Sequence, residues 1–358
     1  MSRTADVVVI GCGAVGAGIT YFATKAGLRV VALDATHPLA GTSGATFAWT
    51  GAHNKNPLHY HRFSQAAVEA HARLLVEDGI ASQFHRIGSL NLFFGDQETR
   101  EARRRVEEKI AEGYGLRWLE AEEALAMEPA VAPDLGGASY CAEDGHIYPF
   151  DFVKNCLARA QAMGATVLRL SPVTGIRRSA GRVTGVETPS GEIAAEAVVC
   201  AAGIWTPAIG RMAGVEIPIH PSHGEILVTE TLKPTLNHIL SGAKQVPAGN
   251  IILGTVKWDG IEHRDVTGRG VQHIARSAVR VIPALRGVRI VRAFGAVRPM
   301  PPDDLPILGR TRVEGFWVAV MHSGITNSAL VGKLMADLLL GKDPPVDIAP
   351  YQLSRFAA

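Results

Sequence analysis

The stretch from Val7 to Asp34, VVVIGCGAVGAGITYFATKAGLRVVALD, decides how this chain is read. Val7 to Ile10 are all β-branched, as in a strand buried on both faces of a parallel sheet, and glycines follow at once at Gly11, Gly13 and Gly16. This is a strand running into GxGxxG. Gly11 serves the tight turn, Gly13 lets backbone approach a pyrophosphate, and Gly16 allows helix and strand to pack closely. The pattern predicts a helix to about Ala26, stopped by Gly27, and a second apolar strand from Leu28 to Leu33. Asp34 then stands roughly 20 residues beyond the glycines, where an acid binds ribose hydroxyls. An acid repels a 2′-phosphate, so FAD or NAD is favoured over NADP. The competing reading is a plain βαβ unit with a glycine turn, but strand, glycines, helix, strand and acid together argue for a dinucleotide site at Gly11, Gly13, Ala14, Val15, Gly16, Asp34 and Ala35.

A chain of 358 residues with 47% hydrophobic content can bury a large core, and its length suggests two domains. A formal net charge of +2 gives no electrostatic case for nucleic acid. Arg103 to Arg105 lie among Glu101, Glu107 and Glu108 at the spacing of a solvated helix. Cys12, Cys141, Cys156 and Cys200 form no CxxC pair, which predicts small buried thiols in a reduced, cytoplasmic protein without a disulfide framework or zinc site. No apolar run reaches the ~20 residues that spanning a bilayer requires. His59, His61 and His71 read as a solvated face rather than a metal cluster.

Further along, GTSGATFAWTGAH, Gly41 to His53, offers small hydroxyl residues and exposed backbone at Thr42, Ser43, Gly44 and Ala45. It suits a loop over a phosphate or flat ring, against the alternative of an ordinary glycine-rich loop. SLNLFF, Ser89 to Phe94, alternates as a half-buried strand. EDGHIYPFDF leads into a helix from roughly Pro149 to Met163, and Val183 to Thr188 with Glu192 to Ala195 reads as a hairpin. Val198 to Ala201 is a buried strand whose carboxyl end, Ala202 and Gly203, carries little side-chain bulk. In open α/β sheets a ligand binds at that end.

In this order the N-terminal unit, the GTSGATF loop, the DGHIYP helix start, the VVCAAGIW strand end and RPMPPDDLPILG resemble the FAD-dependent D-amino acid oxidase superfamily. Its glycine oxidase, sarcosine oxidase and amino acid dehydrogenase branch is the nearest in pattern. The resemblance covers nearly the whole chain and moves the cofactor from NAD to FAD. It implies an α/β fold with a Rossmann-like FAD domain from 1–84, 140–217 and 297–358, interleaved with a mixed-sheet substrate domain from 85–139 and 218–296. Cofactor contacts are then also expected from Val173, Ala201, Ala202, Gly203, Trp205 and Gly309.

The same resemblance places Arg298, in a proline-rich stretch unsuited to a helix or central strand, as the anchor of a substrate carboxylate. The alternative is a structural arginine paired with Asp303 or Asp304. FWVAVMHSGITNSALVGKLMADLLL reads as strand, turn and a helix from Ser328 to Leu340. Its turn would aim Ser323, Gly324, Ile325, Thr326 and Asn327 at the flavin, where backbone N–H groups stabilise negative charge. The family pattern GHSGxG is here MHSGIT, and the second arginine of glycine oxidase-like members is absent. No cysteine follows Cys200, so FAD is expected to be non-covalent, with a histidyl link through His53 as the alternative. The implied reaction is hydride transfer from the carbon beside a neutral amine to flavin N5, giving an imine that hydrolyses. His223 and His322 are candidates to assist amine deprotonation, and Lys257 to assist oxygen activation. The expected partners are a small amine or amino acid substrate and oxygen or another electron acceptor. Two other readings remain: a flavin subunit that passes electrons to a partner chain, or an NAD-linked dehydrogenase.

Overall fold

The computed structural model describes residues 3–254 and 256–356. Its first sheet has a parallel core in the order Thr166–Leu168, Val30–Leu33, Arg3–Ile10, Gly191–Cys200 and Phe316–Val320. Alternation along the strands divides their side chains between two cores. Val7, Val9, Ala32, Val199 and Ala319 face the helices Ala14–Lys25, Leu58–Asp78, Pro149–Ala162 and Gly324–Leu339. Val8, Ile10, Val31, Leu33, Val198, Cys200 and Val318 face Ile209, Ala213 and Phe316 on the other side. A strand buried on both faces must be apolar at every position, which is why Val7 to Ile10 reads as a continuous run. Each fully buried aliphatic side chain of this kind contributes roughly 1.5–3 kcal/mol.

Gly191–Cys200 is one strand where the sequence reading divided it in two. Its first half pairs antiparallel with Arg182–Thr188, and its second half pairs parallel with Phe316–Val320 along the same edge. The first helix lies against Gly324–Leu339 at glycine contact: a Cβ on Gly18 would come 2.6 Å from the Ser328 carbonyl oxygen, and one on Gly332 would come 2.6 Å from the Gly18 carbonyl carbon. Helix backbones therefore touch directly, and any larger side chain would force them apart.

The second sheet has nine strands and is mixed: Ile239–Leu240 pairs parallel with Ser89–Phe94 among otherwise antiparallel neighbours. Two of its strands run past the expected limits of the substrate domain, Leu135–Cys141 beyond 139 and Ile290–Met300 beyond 296. The strand expected at Ile251 to Val256 is observed as Asn250–Leu253, and Thr255 lies outside the described residues. Arg298 sits near the end of Ile290–Met300, which among the described residues pairs only with His220–Thr231. An edge strand tolerates Pro299, because the missing N–H breaks no ladder on its open side.

A buried carboxylate ties the second sheet to the segment Trp49 to Ala52. Asp144 accepts hydrogen bonds from the Ala52 N–H (2.8 Å), the Trp49 indole (2.8 Å), the Ser89 hydroxyl (2.8 Å) and the Cys141 thiol (3.2 Å). Gly51 is what lets it in, since a Cβ there would lie 2.3 Å from the carboxyl group. All of the cysteines are free and buried, and among the described residues no helix is long and apolar enough to cross a membrane. The pairs Arg103–Glu107 and Arg104–Glu108 sit one turn apart on an exposed helix, as their spacing predicts. His61 and His71 correct the solvated-face reading. His61 is buried between the Ala52 carbonyl and the Gly115 N–H, and His71 is buried against the Ile325 carbonyl. Helical spacing puts both on the inward face of Leu58–Asp78, while His59 stays exposed.

Candidate active site

Between the sheets lies a cavity of about 890 Å³, reached by the carboxyl ends of the parallel strands. On the first-sheet wall, Gly11 has φ +102° and a Cβ there would lie 2.6 Å from the Ala201 carbonyl oxygen. A Cβ on Gly16 would lie 1.8 Å from the Gly11 carbonyl oxygen, so helix and strand close only around glycine. Gly13 caps the helix without a side chain. The Ser43 hydroxyl accepts the Ala14 N–H at 3.0 Å, which lays the Thr42–Gly44 turn over the helix start. The Thr42 hydroxyl in turn donates to the Val297 carbonyl of the second sheet. Asp34 accepts the Cys12 and Thr36 N–H groups at 3.0 and 2.9 Å, and it lines the cavity. A helix start whose N-cap Gly13 has no side chain, an acid at the next strand end and glycines where a Cβ would collide make a cradle for a dinucleotide pyrophosphate and ribose.

Of the residues expected at the cofactor, Gly11, Gly13, Ala14, Val15, Asp34, Ala35, Thr42, Ser43, Ala45, Val173, Ala201, Ala202, Gly203, Trp205, Ser323, Gly324, Ile325 and Thr326 line the cavity. Gly16, Gly44, Asn327 and Gly309 do not. Gly16 and Gly44 pack against the Gly11 and Leu39 carbonyls, and Gly309 faces Ile348. Asn327 is buried and donates to the Tyr60 hydroxyl at 3.3 Å. The last helix starts at Gly324 rather than Ser328, so Ile325 and Thr326 form its first turn and present its N-terminus to the cavity.

The second-sheet wall carries the charge. Arg298 lines the cavity and donates to the His223 and Val256 carbonyls, each at 3.1 Å. These bonds hold the guanidinium while leaving donors over for a ligand. Asp303 pairs instead with Arg355, at 2.7 Å. Gly224 makes room for Arg298, because a Cβ there would lie 2.3 Å from the guanidinium. Burial lowers the arginine's pKa, with Asp259 opposing.

His223 stands elsewhere. Gly224 and Ile226 face the cavity, so alternation sends His223 and Glu225 to the opposite face of the strand. The His223 ring stacks on Trp258 and bonds the His263 carbonyl at 2.9 Å and Glu225 at 3.3 Å, within a network that caps the helix Gly268–Val281 through Thr267. It is a structural residue. His322 does line the cavity, 3.3 Å from the Ser323 hydroxyl. Burial holds it well below its ordinary pKa of 6.5, and the charges of Lys55, Arg298 and Lys257 push it further down. Both effects favour the neutral imidazole. Lys257 lines the cavity as an exposed side chain.

Two lining residues carry further chemistry. His53 is buried, with both ring nitrogens 2.7 Å from serine hydroxyls, those of Ser89 and Ser139, and burial lowers its pKa to about 4. Lys55, absent from the sequence reading, donates to the Ser323 hydroxyl and lies over the Tyr60 ring at 5.8 Å. Burial lowers its pKa to about 8. Its setting in AHNKNP carries no motif; the one available signal was a cation directly after the small-residue loop. Among the described residues no group of three or more His, Cys, Asp or Glu could hold a metal ion.

A family model described as FAD dependent oxidoreductase matches residues 6–338, and the chain belongs to this family, DAO, within the superfamily that its ordered motifs resemble. It is therefore an FAD-dependent oxidoreductase. Among individual relatives, it is 30% identical to the hydrogen cyanide synthase subunit HcnC of Pseudomonas aeruginosa, over 99% of this chain and 97% of that one. It is 31% identical to the glycine oxidase of Geobacillus kaustophilus, over 99% and 98% of the two chains. The crystal structure of glycine oxidase from Geobacillus kaustophilus matches with a TM-score of 0.91 at 27% identity, covering 100% of both chains.

Proposed function

We propose that this enzyme oxidises the C–N bond of an amino acid or N-alkyl amino acid. One observation carries the reading: Arg298, held by two carbonyls with donors to spare, faces the same cavity as the dinucleotide cradle. A guanidinium so placed binds a substrate carboxylate bidentately and fixes the adjacent carbon and amine. FAD supplies the hydride acceptor, at N5. The protein binds, orients and excludes water, and the resulting imine is hydrolysed to a carbonyl compound and an amine or ammonia.

The reacting amine has to be neutral. Burial, the main cause of the fall in the His322 pKa, makes it a poor acceptor for the amine's proton. The charges of Lys55, Arg298 and Lys257 add to that fall and also favour loss of the proton from an amine beside it to solvent. The N-terminus of Gly324–Leu339 adds the stabilisation of negative charge expected of a helix end. FAD is held non-covalently in this reading, since both His53 nitrogens are engaged and Cys200 is fully buried. The domains proposed for the two tasks are the discontinuous segments set out above.

The test is anaerobic mixing of the purified yellow protein with pooled amino acids and N-methyl amino acids. Bleaching of the flavin bands with carbonyl product is expected, and readmitted air then separates an oxidase from a dehydrogenase. Flavin bands that survive every amine would contradict the reading. A second reading, a flavin subunit that hands electrons to a partner chain, is favoured by the word subunit in the name of HcnC. Co-purification with an iron–sulfur protein would support it.

A further inference from the structure

The charges around the cavity exceed what a single carboxylate requires. Arg298, Lys55 and Lys257 all line it, and all act on His322. Among the described residues none of these cations makes an ion pair with a protein carboxylate. The one lining carboxylate among the described residues, Asp34, is occupied at the dinucleotide cradle by the Cys12 and Thr36 N–H groups. Another lining cation, Arg264, is spent on the Ala40 carbonyl at 2.8 Å.

An amino acid with a neutral amine brings one negative charge, which Arg298 meets. Lys257 is exposed and has water for company. Lys55 is different, because its ammonium is held between the Ser323 hydroxyl and the Tyr60 ring, neither of which is a counter-ion. The carboxylates of Asp144 and Asp304 act on it without forming an ion pair, so desolvation outweighs them, and a substrate that supplies a contacting anion recovers that cost.

We propose that Lys55 forms a second anionic subsite and that the substrate is therefore a dicarboxylate: an amino acid bearing a second carboxylate on its side chain or on its nitrogen substituent. This rests on the amine-oxidation reading above and deepens it. Arg298 holds the carboxylate next to the reacting carbon, and Lys55 holds the other, which fixes the substrate at both ends. The bond to Ser323 brings the charge of Lys55 to the HSGIT turn from 268 residues away. Ser323 is the positioning residue in this arrangement, keeping the ammonium aimed along the turn.

The test separates binding from turnover. Glutarate and butyrate are titrated into the oxidised holoenzyme while the flavin absorption is followed. Glutarate is expected to bind about 30-fold more tightly than butyrate, the worth of one charged hydrogen bond. In Lys55→Met that ratio should fall to about 1, and in Lys55→Arg much of it should return, with flavin retention reporting that each variant is folded. Equal affinities in the wild-type protein, an unchanged ratio in Lys55→Met, or no perturbation by either acid would overturn the proposal. None of these outcomes depends on turnover, so they stand apart from failure of the amine-oxidation reading, which shows as an unbleached flavin. Turnover of glutamate against N-(2-carboxyethyl)glycine then tells a side-chain carboxylate from one on nitrogen.

Discussion

On the first-sheet wall of the cavity, recognition is carried by backbone: Gly11 and Gly16 at contact with carbonyls, the bare start of a helix, and Asp34 at the next strand end. On the facing side it is carried by side chains: Arg298 is seated over Gly224 on the second sheet, and Lys55 is brought from a distant loop to Ser323, beside His322. The difference is one of locality. A pyrophosphate cradle is complete within one βαβ unit, where spacing alone fixes the geometry. A carboxylate site is assembled by register between strands and by packing between sheets, and spacing carries no record of either.

The sharpest way to break this comparison is at Gly16. Gly16→Val would drive a side chain into the Gly11 carbonyl, where even a Cβ lies at 1.8 Å, so colourless or insoluble protein is expected. A yellow Gly16→Val protein with an ordinary spectrum would show that the cradle is not closed by glycine contact. Asp144 tests the joint between the second sheet and the segment Trp49 to Ala52 that lines the cavity. Asp144→Ala leaves donors from Trp49, Ala52 and Ser89 unpaired in the interior, which should cost roughly 3 kcal/mol or more and loosen FAD. Thermal unfolding within a degree or two of wild type would remove Asp144 from that role.

Smaller effects probe the buried titratable groups. Lys244 is only 3% exposed, lies over Phe47, and burial lowers its pKa from 10.5 to about 7. The unfolded chain binds more protons between these values, so stability rises with pH across that window and the cost is fully present below pH 7. Lys244→Met should therefore raise Tm most at pH 6 to 7, by several degrees, with the gain shrinking as pH approaches 10.5. No gain at pH 6 would show the ammonium to be solvated or paired. His53 and His71, both lowered from 6.5 to about 4, make stability fall as pH drops across that interval. Glutamine at either position should flatten the acid limb of a Tm profile, and an unchanged limb would count against buried neutral rings.

Particular residues show what could be read from the sequence. Val7 to Ile10, the glycines and Asp34 were legible because a doubly buried parallel strand and a glycine turn leave local signatures. The proline-rich setting singled out Arg298, which the structure puts on the cavity wall near the end of an edge strand. His223 was not: its neighbour Gly224 faces the cavity and the histidine faces Trp258, a choice made by strand register. Alternation with Glu225 and Leu227 in PSHGEIL was the usable signal. Lys55 had no such signal, because its function depends on Ser323 and Tyr60. Gly18 and Gly332 look like weak helix residues and become intelligible only when the two helices meet.

The most direct measurement of the central claim, that one cavity places a carboxylate anchor against FAD, is a titration of the oxidised flavin bands with a non-reactive monocarboxylate. It is run on wild-type protein and on Arg298→Ala. A saturable spectral shift in the wild type, weakened by about 100-fold or more in a variant that keeps its flavin, is the predicted result. A shift of the same affinity in Arg298→Ala, or none in the wild type, would contradict the placement of substrate and cofactor in a single site.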